Sequence, residues 1–286
     1  MSMNTRQAIY IENLYEELKK AQCSVYLFGE LDEFIKVNCQ LDVEFKVFNN
    51  HKDLREIAPK FLITIGGDGT ILDAATLVRK ENIPILGINT GRLGFLANVS
   101  KEEIPQALQA LFNGKFKINN RRLLSMHTSS DQTIDPNFAL NEVTVSRKDT
   151  TSMITVHTYI NDEYLNSYWA DGLIVATPTG STGYSLSCGG PIIMPGSENF
   201  VITPTAPHNL NVRPFVIPNN YTSTLKVETR EKEFLTSLDS RIYTFSEEVE
   251  IKIKCADFQI QLVQTDVQDF PTTLRNKLLW GLDRRN

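Results

Sequence analysis

Residues 61–70 constrain the fold of this chain more than any other segment. They read Phe-Leu-Ile-Thr-Ile-Gly-Gly-Asp-Gly-Thr, so five β-prone residues run directly into a loop with three glycines and one carboxylate. The apolar run predicts a strand, and the pattern after the loop predicts a helix. The helix prediction rests on apolar residues at helical spacing, namely Ile71, Leu72, Ala75 and Leu77.

The loop at residues 66–70 suits a phosphate group. Glycines let the backbone turn sharply and bring bare N–H groups close to a ligand. The start of the next helix adds unpaired N–H groups and a positive dipole end. Asp68 needs a separate explanation, because a carboxylate repels phosphate. It fits if Asp68 takes a proton from an attacking hydroxyl, orients that hydroxyl, or holds a metal that bridges phosphates. Alternatively, Asp68 only caps the helix.

Composition and charge limit the classes of function. The 286 residues suffice for two domains, and the net charge of −5 argues against nucleic acid as the main partner. No apolar run reaches the roughly 18 residues that a membrane helix needs. The start of the chain is polar and lacks the apolar segment of a signal peptide. The four cysteines show no CxxC pair and no metal-ligand spacing. We therefore expect a cytoplasmic protein with free thiols.

Residues 1–115 predict an α/β nucleotide-binding domain with a mainly parallel sheet. Strand and helix patterns alternate here, which places helices on the faces of the sheet. Ligands bind at the carboxyl ends of the strands in such sheets, which is where the glycine loop lies. The expected helices cover residues 5–20, the segment after residue 70, and a segment through Phe112 that opens with a capping box at Ser100 and Glu103. The expected strands cover residues 24–28, 42–48, 61–65 and 84–88.

From about residue 116 the apolar pattern changes to a period of two. It predicts a β-rich, β-sandwich-like domain over residues 116–263, with a hairpin that turns at Asn161-Asp162. The segment 264–286 is predicted to be helical from Phe270 to Leu282. We expect it to pack back on the first domain.

Three further segments carry polar groups in a pattern that suits a nucleotide. Residues 177–183 are dense in small hydroxyl residues, and Tyr184 offers a ring for stacking on a base, although a simple loop explains the same residues. Asp171 is equally explained as a turn residue before the next strand. The loop at residues 89–94 follows a predicted strand and is placed to close over phosphates.

Asn141 and Glu142 are two consecutive polar residues in a predicted strand. Neighbouring strand residues point to opposite faces, so at least one of the two faces inward or toward a ligand. An amide and a carboxylate suit a sugar with adjacent hydroxyls. An edge strand or a bulge explains the pair equally well.

In this order along the chain, the segments resemble the NAD kinases. The resemblance runs from about residue 55 to Gly281. The Gly-Gly-Asp-Gly-Thr motif is shared with diacylglycerol kinases, sphingosine kinases and phosphofructokinases. The Asn-Glu pair and the Thr-Pro-Thr-Gly-Ser-Thr block narrow the resemblance to the NAD kinases. The segments that carry the resemblance are 66–70, 89–94, 141–142 with Arg147, 171–184, 189–191 and 203–214.

The resemblance implies phosphorylation of NAD by ATP at the 2′-hydroxyl of the adenosine ribose, which gives NADP. It implies a divalent metal, Mg²⁺, held by the ATP phosphates with no fixed protein ligand. It also implies a homotetramer whose sites are completed across subunits. The substrates would be small molecules, with no nucleic acid and no membrane as partner.

The resemblance also implies roles for individual residues. Asp68 would be the base or orienter for the reacting hydroxyl. The residues expected to receive ATP phosphates are Gly66, Gly67, Gly69, Thr70 and Arg92. The residues expected to bind NAD are Asn141, Glu142, Arg147, Asp171, Thr182, Gly183, Tyr184 and Ser187.

The chain departs from the NAD kinase pattern at three places. Residues 1–6 are polar where the family usually begins with an apolar strand, Gly183 replaces a frequent alanine, and Asp239-Ser240 replaces a common Asp-Gly. Two rival functions stay open on the sequence. A lipid kinase of the diacylglycerol type would need an apolar groove or a membrane-facing patch. A regulator that binds NAD or NADP without catalysis would not need the intact Asp68.

Overall fold

A computed structural model describes residues 7–91, 94–149, 152–265 and 269–279. The chain forms two compact units. The first contains the chain up to Asn120 together with the residues from Ile260 onward, and the second contains residues 121–259. The predicted departure at residues 1–6 lies outside the described residues.

The first unit alternates helices and short strands. Its elements are α1 Ala8–Lys20, β1 Tyr26–Phe28, α2 Gly29–Asn38, β2 Lys46–Phe48, α3 His51–Ile57, β3 Leu62–Gly66, α4 Asp68–Val78, β4 Ile85–Asn89, β5 Val99–Ser100, α5 Ile104–Phe112 and α7 Phe270–Leu278. Two long strands, β6 Phe116–Thr128 and β17 Ile251–Thr265, have residues in both units.

Strand pairing in the first unit is parallel, which confirms the α/β prediction. β3 pairs with β4, β4 pairs with β5, and Leu262 of β17 pairs with Ile85 of β4. β1 and β2 form a separate parallel pair. The predicted strand at residues 42–48 is shorter than expected, because only Lys46–Phe48 pairs with β1.

Local sequence accounts for the start of two helices in this unit. The side chain of Asn50 accepts the N–H groups of Lys52 and Asp53 and caps α3. The predicted capping box is present, because Ser100 and Glu103 bond to each other's backbone N–H groups. It opens a 3-10 turn at Lys101–Glu103 that leads into α5.

β4 is the centre of packing around the glycine loop. All five of its residues are buried. A Cβ on Gly87 would lie 2.5 Å from Cδ1 of Ile71 in α4 and 2.9 Å from Cα of Ala97. Helix α4 and the segment after β4 therefore approach this strand more closely than any residue other than glycine allows.

The second unit is built from antiparallel strands. Its remaining strands are β7 Phe138–Ala139, β8 Glu142–Arg147, β9 Ile154–Ile160, β10 Glu163–Ala170, β11 Gly172–Ala176, β12 Asn199–Thr205, β13 Phe215–Pro218, β14 Ser223–Glu228, β15 Glu233–Leu238 and β16 Arg241–Ser246, with one short helix, α6 Tyr184–Ser187.

These strands form two sheets with one core between them, as the β-sandwich-like prediction requires. One sheet has the order β13-β12-β11-β8-β15-β16, and the other includes β10-β9-β14-β17. The core joins Phe200 and Phe234 of the first sheet to Val156, Leu225 and Ile253 of the second. The sequence also predicts the β9–β10 hairpin correctly. Its turn residues, Asn161 and Asp162, have φ of 49° and 66°, which Asn and Asp tolerate best after glycine.

Among the described residues, each helix is too short or too polar to cross a membrane.

The packing at β4 gives a first testable prediction. We expect Gly87→Ala to lower the free energy of unfolding by about 2 kcal/mol, because the added methyl overpacks a site bounded by main-chain atoms. Urea unfolding followed by far-ultraviolet circular dichroism measures this loss. Gly69→Ala is the matched control, because a Cβ at Gly69 meets nothing within 4 Å. Equal stability of Gly87→Ala and the wild type would contradict the tight contact.

Candidate active site

The glycine loop joins β3 to α4 through a close contact between Gly66 and Thr70. A Cβ on Gly66 would lie 2.2 Å from Oγ1 of Thr70, so this position requires glycine. Gly67 and Gly69 are exposed, and a Cβ on either would meet nothing within 4 Å. One side of the loop is therefore tightly packed, and the other side is open space beside the start of α4.

Asp68 is the first residue of α4, but its side chain does not cap that helix. Its carboxylate accepts three backbone N–H groups from a separate segment. Phe95 donates to Oδ2 at 2.8 Å, and Leu96 and Ala97 donate to Oδ1 at 3.0 and 2.9 Å. A Cβ on Gly94 would lie 1.8 Å from Oδ1 of Asp68, so glycine is required at residue 94. The helix-cap alternative is thus wrong.

The start of the 89–94 loop is held against the end of β3. The side-chain oxygen of Asn89 accepts the N–H of Gly91 at 2.8 Å, which forms a local turn. The N–H of Thr90 donates to the carbonyl of Gly66 at 3.3 Å. Arg92, the cation predicted to bind phosphate, lies outside the described residues.

In the second unit, Asp239 holds the Asn141-Glu142 pair by its backbone. The Asp239 carboxylate accepts the N–H groups of Leu140, Asn141 and Glu142 at 2.9, 2.8 and 3.2 Å. The expectation that both polar residues lie inside a strand is wrong. Asn141 lies in a bend between β7 and β8, because Asp239 takes the N–H groups that a strand ladder would use.

Arg241 supports the same bend from the other side. Its guanidinium donates to the carbonyls of Pro136 and Phe138, next to β7. Asp239 and Arg241 together therefore satisfy both the N–H and the carbonyl groups of the segment that leads to Asn141. In the sequence, Asp239 stands out only as part of the Asp239-Ser240 departure from a common Asp-Gly turn. In the structure, Asp239 has a positive φ of 53°.

The side chains of Asn141 and Glu142 each carry a buried oxygen with no hydrogen-bond partner. These atoms are Oδ1 of Asn141 and Oε2 of Glu142. Buried polar atoms in folded proteins are nearly always paired, so two orphaned acceptors on adjacent residues point to a ligand that donates hydrogen bonds. Burial, and then the nearby Asp239, raises the pKa of Glu142 to about 8.

The hydroxyl-rich loop after β11 folds onto this pair. The N–H of Thr177 donates to the carbonyl of Asn141 at 2.9 Å, and its hydroxyl donates to the carbonyl of Leu140 at 2.7 Å. A Cβ on Gly180 would lie 2.1 Å from the carbonyl oxygen of Asn141. A Cβ on Gly183 would lie 3.2 Å from Oε2 of Glu142. Of the predicted NAD-binding residues in this loop, Gly183 thus lies against Glu142.

The other predicted residues of the second unit lie around Asp171. Arg147 pairs with Asp171, Nη2 to Oδ2, at 3.1 Å, and both side chains are partly exposed. This pair is at the far end of β8 from Glu142, about 16 Å along the strand at 3.3 Å per residue. Tyr184 is about half exposed, and burial, with the neighbouring Cys188, raises its pKa.

Thr182 and Ser187 lie in the same region of the chain. The hydroxyl of Thr182 donates to the carbonyl of Thr179 at 3.2 Å, and Ser187 is exposed at the end of α6. The structure therefore places Gly183 beside Glu142 at one end of β8 and the Arg147–Asp171 pair at the other end.

Two family models match the chain. Residues 4–116 match the ATP-NAD kinase N-terminal domain, and residues 140–265 match the ATP-NAD kinase C-terminal domain. Together they cover more than half of the chain. The chain belongs to the NAD kinase family.

Curated NAD kinases are similar to this chain over nearly its whole length. The NAD kinase of Flavobacterium psychrophilum is 52% identical over 278 residues, which are 96% of this chain and 94% of that protein. The NAD kinase of Cytophaga hutchinsonii is 47% identical over 279 residues, 97% of this chain and 94% of that protein. The NAD kinase of Bacteroides fragilis (strain YCH46) is 41% identical over 285 residues, which are 99% of this chain and 97% of that protein.

Two solved structures share the NAD kinase fold with this chain. Yeast NADH kinase, crystallised with NADH, has a TM-score of 0.85 at 23% identity and covers 96% of this chain and 84% of that one. An NAD kinase from Archaeoglobus fulgidus, in complex with ATP, has a TM-score of 0.67 at 28% identity. The match covers 90% of this chain and 96% of that one. The comparisons confirm the predicted family and fold class, and they do not favour the lipid-kinase alternative.

The contacts of Asp239 give a second prediction, for both stability and binding. Asp239→Asn places an amide NH₂ where one carboxylate oxygen accepted an N–H, so two donors face each other. We expect a loss of about 2 kcal/mol in the free energy of unfolding and a weaker affinity for NAD. Chemical unfolding and titration calorimetry with NAD measure the two effects. Asp131→Asn, at an exposed position, is the control. A variant as stable as the wild type would show that Asp239 does not hold the bend.

The raised pKa of Glu142 gives a third prediction. Its folded pKa of about 8 exceeds the ordinary value of 4.5, so the folded state keeps a proton that the unfolded state loses between these values. The free energy of unfolding should therefore fall as pH rises from about 4.5 to about 8, by an amount on the order of 5 kcal/mol. Glu142→Gln should remove this fall and be the more stable protein above pH 8.

Urea unfolding of both proteins between pH 4.5 and pH 9 tests this dependence on Glu142. Glu163→Gln, which changes an exposed carboxylate in the same way, should follow the wild type. Parallel curves for Glu142→Gln and the wild type would mean that Glu142 is ionised in the folded protein throughout the range.

Proposed function

We propose that this protein transfers the γ-phosphoryl group of ATP to the 2′-hydroxyl of the adenosine ribose of NAD, giving NADP. Family membership supports the reaction, and one observation in the structure carries the assignment of the acceptor. Asn141 and Glu142 present two buried oxygens without partners on adjacent residues. Two acceptors side by side suit the two adjacent hydroxyls of a ribose, each of which donates one hydrogen bond.

The glycine loop of the first unit is proposed to receive the ATP phosphates. Its open side at Gly67 and Gly69 leaves room for a ligand beside the N-terminal end of α4, which favours anions. Thr70 adds a hydroxyl in the first turn of that helix. Arg92 would add a positive charge, on the strength of the sequence alone.

Asp68 is proposed to orient the attacking 2′-hydroxyl. Oδ1 of Asp68 already accepts two N–H groups, whereas Oδ2 accepts one and keeps a lone pair for the hydroxyl. In the transfer, the 2′-hydroxyl oxygen bonds to the γ-phosphorus and its proton passes to Oδ2 of Asp68. The bond between the γ-phosphorus and the oxygen that bridges it to the β-phosphorus breaks, and ADP leaves with that oxygen. Transition states of this kind are loose, so position and charge neutralisation contribute more than a strong base.

The remaining predicted residues are proposed to bind the rest of NAD. Arg147 and Asp171 form a partly exposed ion pair, whose carboxylate would contact the second nucleoside of NAD. Tyr184 offers an exposed ring for the adenine, with Thr182, Gly183 and Ser187 beside it on the same loop. We also propose the domain division made from the sequence: residues 1–115, an NAD-binding domain at 116–263, and a C-terminal segment at 264–286.

The metal is proposed to enter as part of the ATP complex. Among the described residues, no cluster of three or more His, Cys, Asp or Glu side chains could hold a metal ion. From the resemblance to the family, the donor substrate would be Mg²⁺-ATP, with phosphate oxygens as the ligands of the ion. A cytoplasmic location agrees with the four free cysteines. A homotetramer is proposed from the resemblance of the whole chain to the family.

A coupled assay with purified protein gives a fourth prediction. NAD, ATP and magnesium should yield NADP, detected by an NADP-specific dehydrogenase. Asp68→Asn should lower kcat at least 100-fold with a much smaller change in KM, because it removes an interaction with the reacting hydroxyl. Asp257→Asn makes the same change at an exposed position and should keep full activity. Full activity of Asp68→Asn would overturn the role of Asp68 in orienting the hydroxyl. If the folded protein binds NAD but forms no NADP, the result would favour the alternative of a regulator that binds NAD or NADP without catalysis.

A further inference from the structure

Residues 94–97 form a short segment, here named the Asp68-binding segment, that is closed on itself. The N–H of Gly94 donates to the carbonyl of Ala97 at 3.2 Å. This turn directs three successive N–H groups, those of residues 95–97, toward the Asp68 carboxylate. The position of that carboxylate therefore depends on the position of the segment.

The Asp68-binding segment is fixed on its inner side by the core. Leu96 is 7% exposed and Ala97 is fully buried. Ala97 lies so close to Gly87 that a Cβ on Gly87 would be only 2.9 Å from Cα of Ala97. Two of the three donors are thus carried by buried residues, and one of these, Ala97, lies directly against Gly87 of β4.

Phe95 carries the third donor, and its side chain is held differently. It is only partly buried, and its ring lies 6.2 Å, centroid to centroid, from the ring of Phe270 in α7. Nζ of Lys277, two turns further along α7, lies 4.7 Å from the centroid of the Phe95 ring, a cation–π contact. Helix α7 therefore covers Phe95 with two side chains.

Helix α7 has a capped start and a buried face. The Asp269 side chain accepts the N–H of Thr272 at 2.8 Å and caps the helix, and Thr273 and Leu274 are 4% and 8% exposed. Phe270 and Lys277 therefore lie on a helix that packs against the protein through other residues. A chain of direct contacts leads from α7 through Phe95 to Oδ2 of Asp68, and Oδ2 is the oxygen with a lone pair left for the hydroxyl.

We propose that Phe95, Phe270 and Lys277 are positioning residues for Asp68, with α7 acting as a brace for the Asp68-binding segment. This inference rests on the proposed role of Asp68 in orienting the 2′-hydroxyl. Misplacement of a reacting group by about 1 Å lowers rates as much as 100-fold. The brace sets the position of one of three donors, so its loss should have a smaller effect, and one on turnover rather than on substrate binding.

The test uses the full chain and the variants Phe95→Leu, Phe270→Leu and Lys277→Met. We expect kcat about 10-fold lower for the two leucine variants and about twofold lower for Lys277→Met. The KM values for NAD and ATP should stay within twofold of the wild type. Hydrogen exchange at the amides of residues 95–97 should become faster in Phe270→Leu, since a loosened segment opens more often.

Two control variants separate positioning from stability. Leu14→Ala removes a buried apolar side chain from α1 and leaves α7 intact, so it should lower the unfolding temperature while kcat at 20 °C stays near the wild-type value. Asn276→Ala, at an exposed position on α7, should change neither. An equal fall in kcat for Leu14→Ala and Phe270→Leu would show a general stability effect and overturn the proposal.

The double variant Asp68→Asn/Phe270→Leu shows whether the brace acts through Asp68. If it does, Phe270→Leu lowers kcat no further in the Asp68→Asn background. The same 10-fold loss in both backgrounds, or no loss from Phe270→Leu in the wild type, would overturn the proposal. Full activity of Asp68→Asn would instead overturn the role given to Asp68 under the proposed function, so the two failures give different results.

Discussion

The structure depends on one interaction that occurs twice, a carboxylate that accepts three successive backbone N–H groups. In the first unit Asp68 binds the N–H groups of residues 95–97. In the second unit Asp239 binds those of residues 140–142. Hydrogen bonds to an ionised acceptor are roughly twice as strong as neutral ones. Each aspartate therefore fixes a turn at the end of a strand, where regular pairing provides no partners.

Glycines make both arrangements possible. Gly94 leaves space for Oδ1 of Asp68, and Gly180 leaves space for the carbonyl of Asn141. In each case a side chain would occupy the position of an oxygen that holds the site together. Gly94 and Gly180 thus allow close packing within the site. Gly67 and Gly69 have a different effect, because they leave open space beside the glycine loop.

The sequence predicted the features that depend on neighbouring residues. The strand and helix around the glycine loop, the capping box at Ser100 and the turn at Asn161-Asp162 follow from local pattern and conformational preference. It did not predict the partners of Asp68 or Asp239. Those contacts join residues 27 to 29 and 97 to 99 positions apart, and no local pattern encodes them. The misplacement of Asn141 in a strand has the same origin.

The two aspartates hold backbone in the same way but have different chemical consequences. Asp239 is partly buried beside Glu142, and burial of Glu142 together with the charge of Asp239 raises the pKa of Glu142. A protonated Glu142 can donate a hydrogen bond as well as accept one, so the proposed pairing of Glu142 with a ribose hydroxyl would change with pH. Gly183 leaves space beside the Glu142 carboxyl, because a Cβ at residue 183 would lie only 3.2 Å from Oε2 of Glu142. An alanine at residue 183 would press on this carboxyl and restrict its position. With glycine at residue 183, the chain leaves the position of the Glu142 carboxyl to be fixed by its ligand.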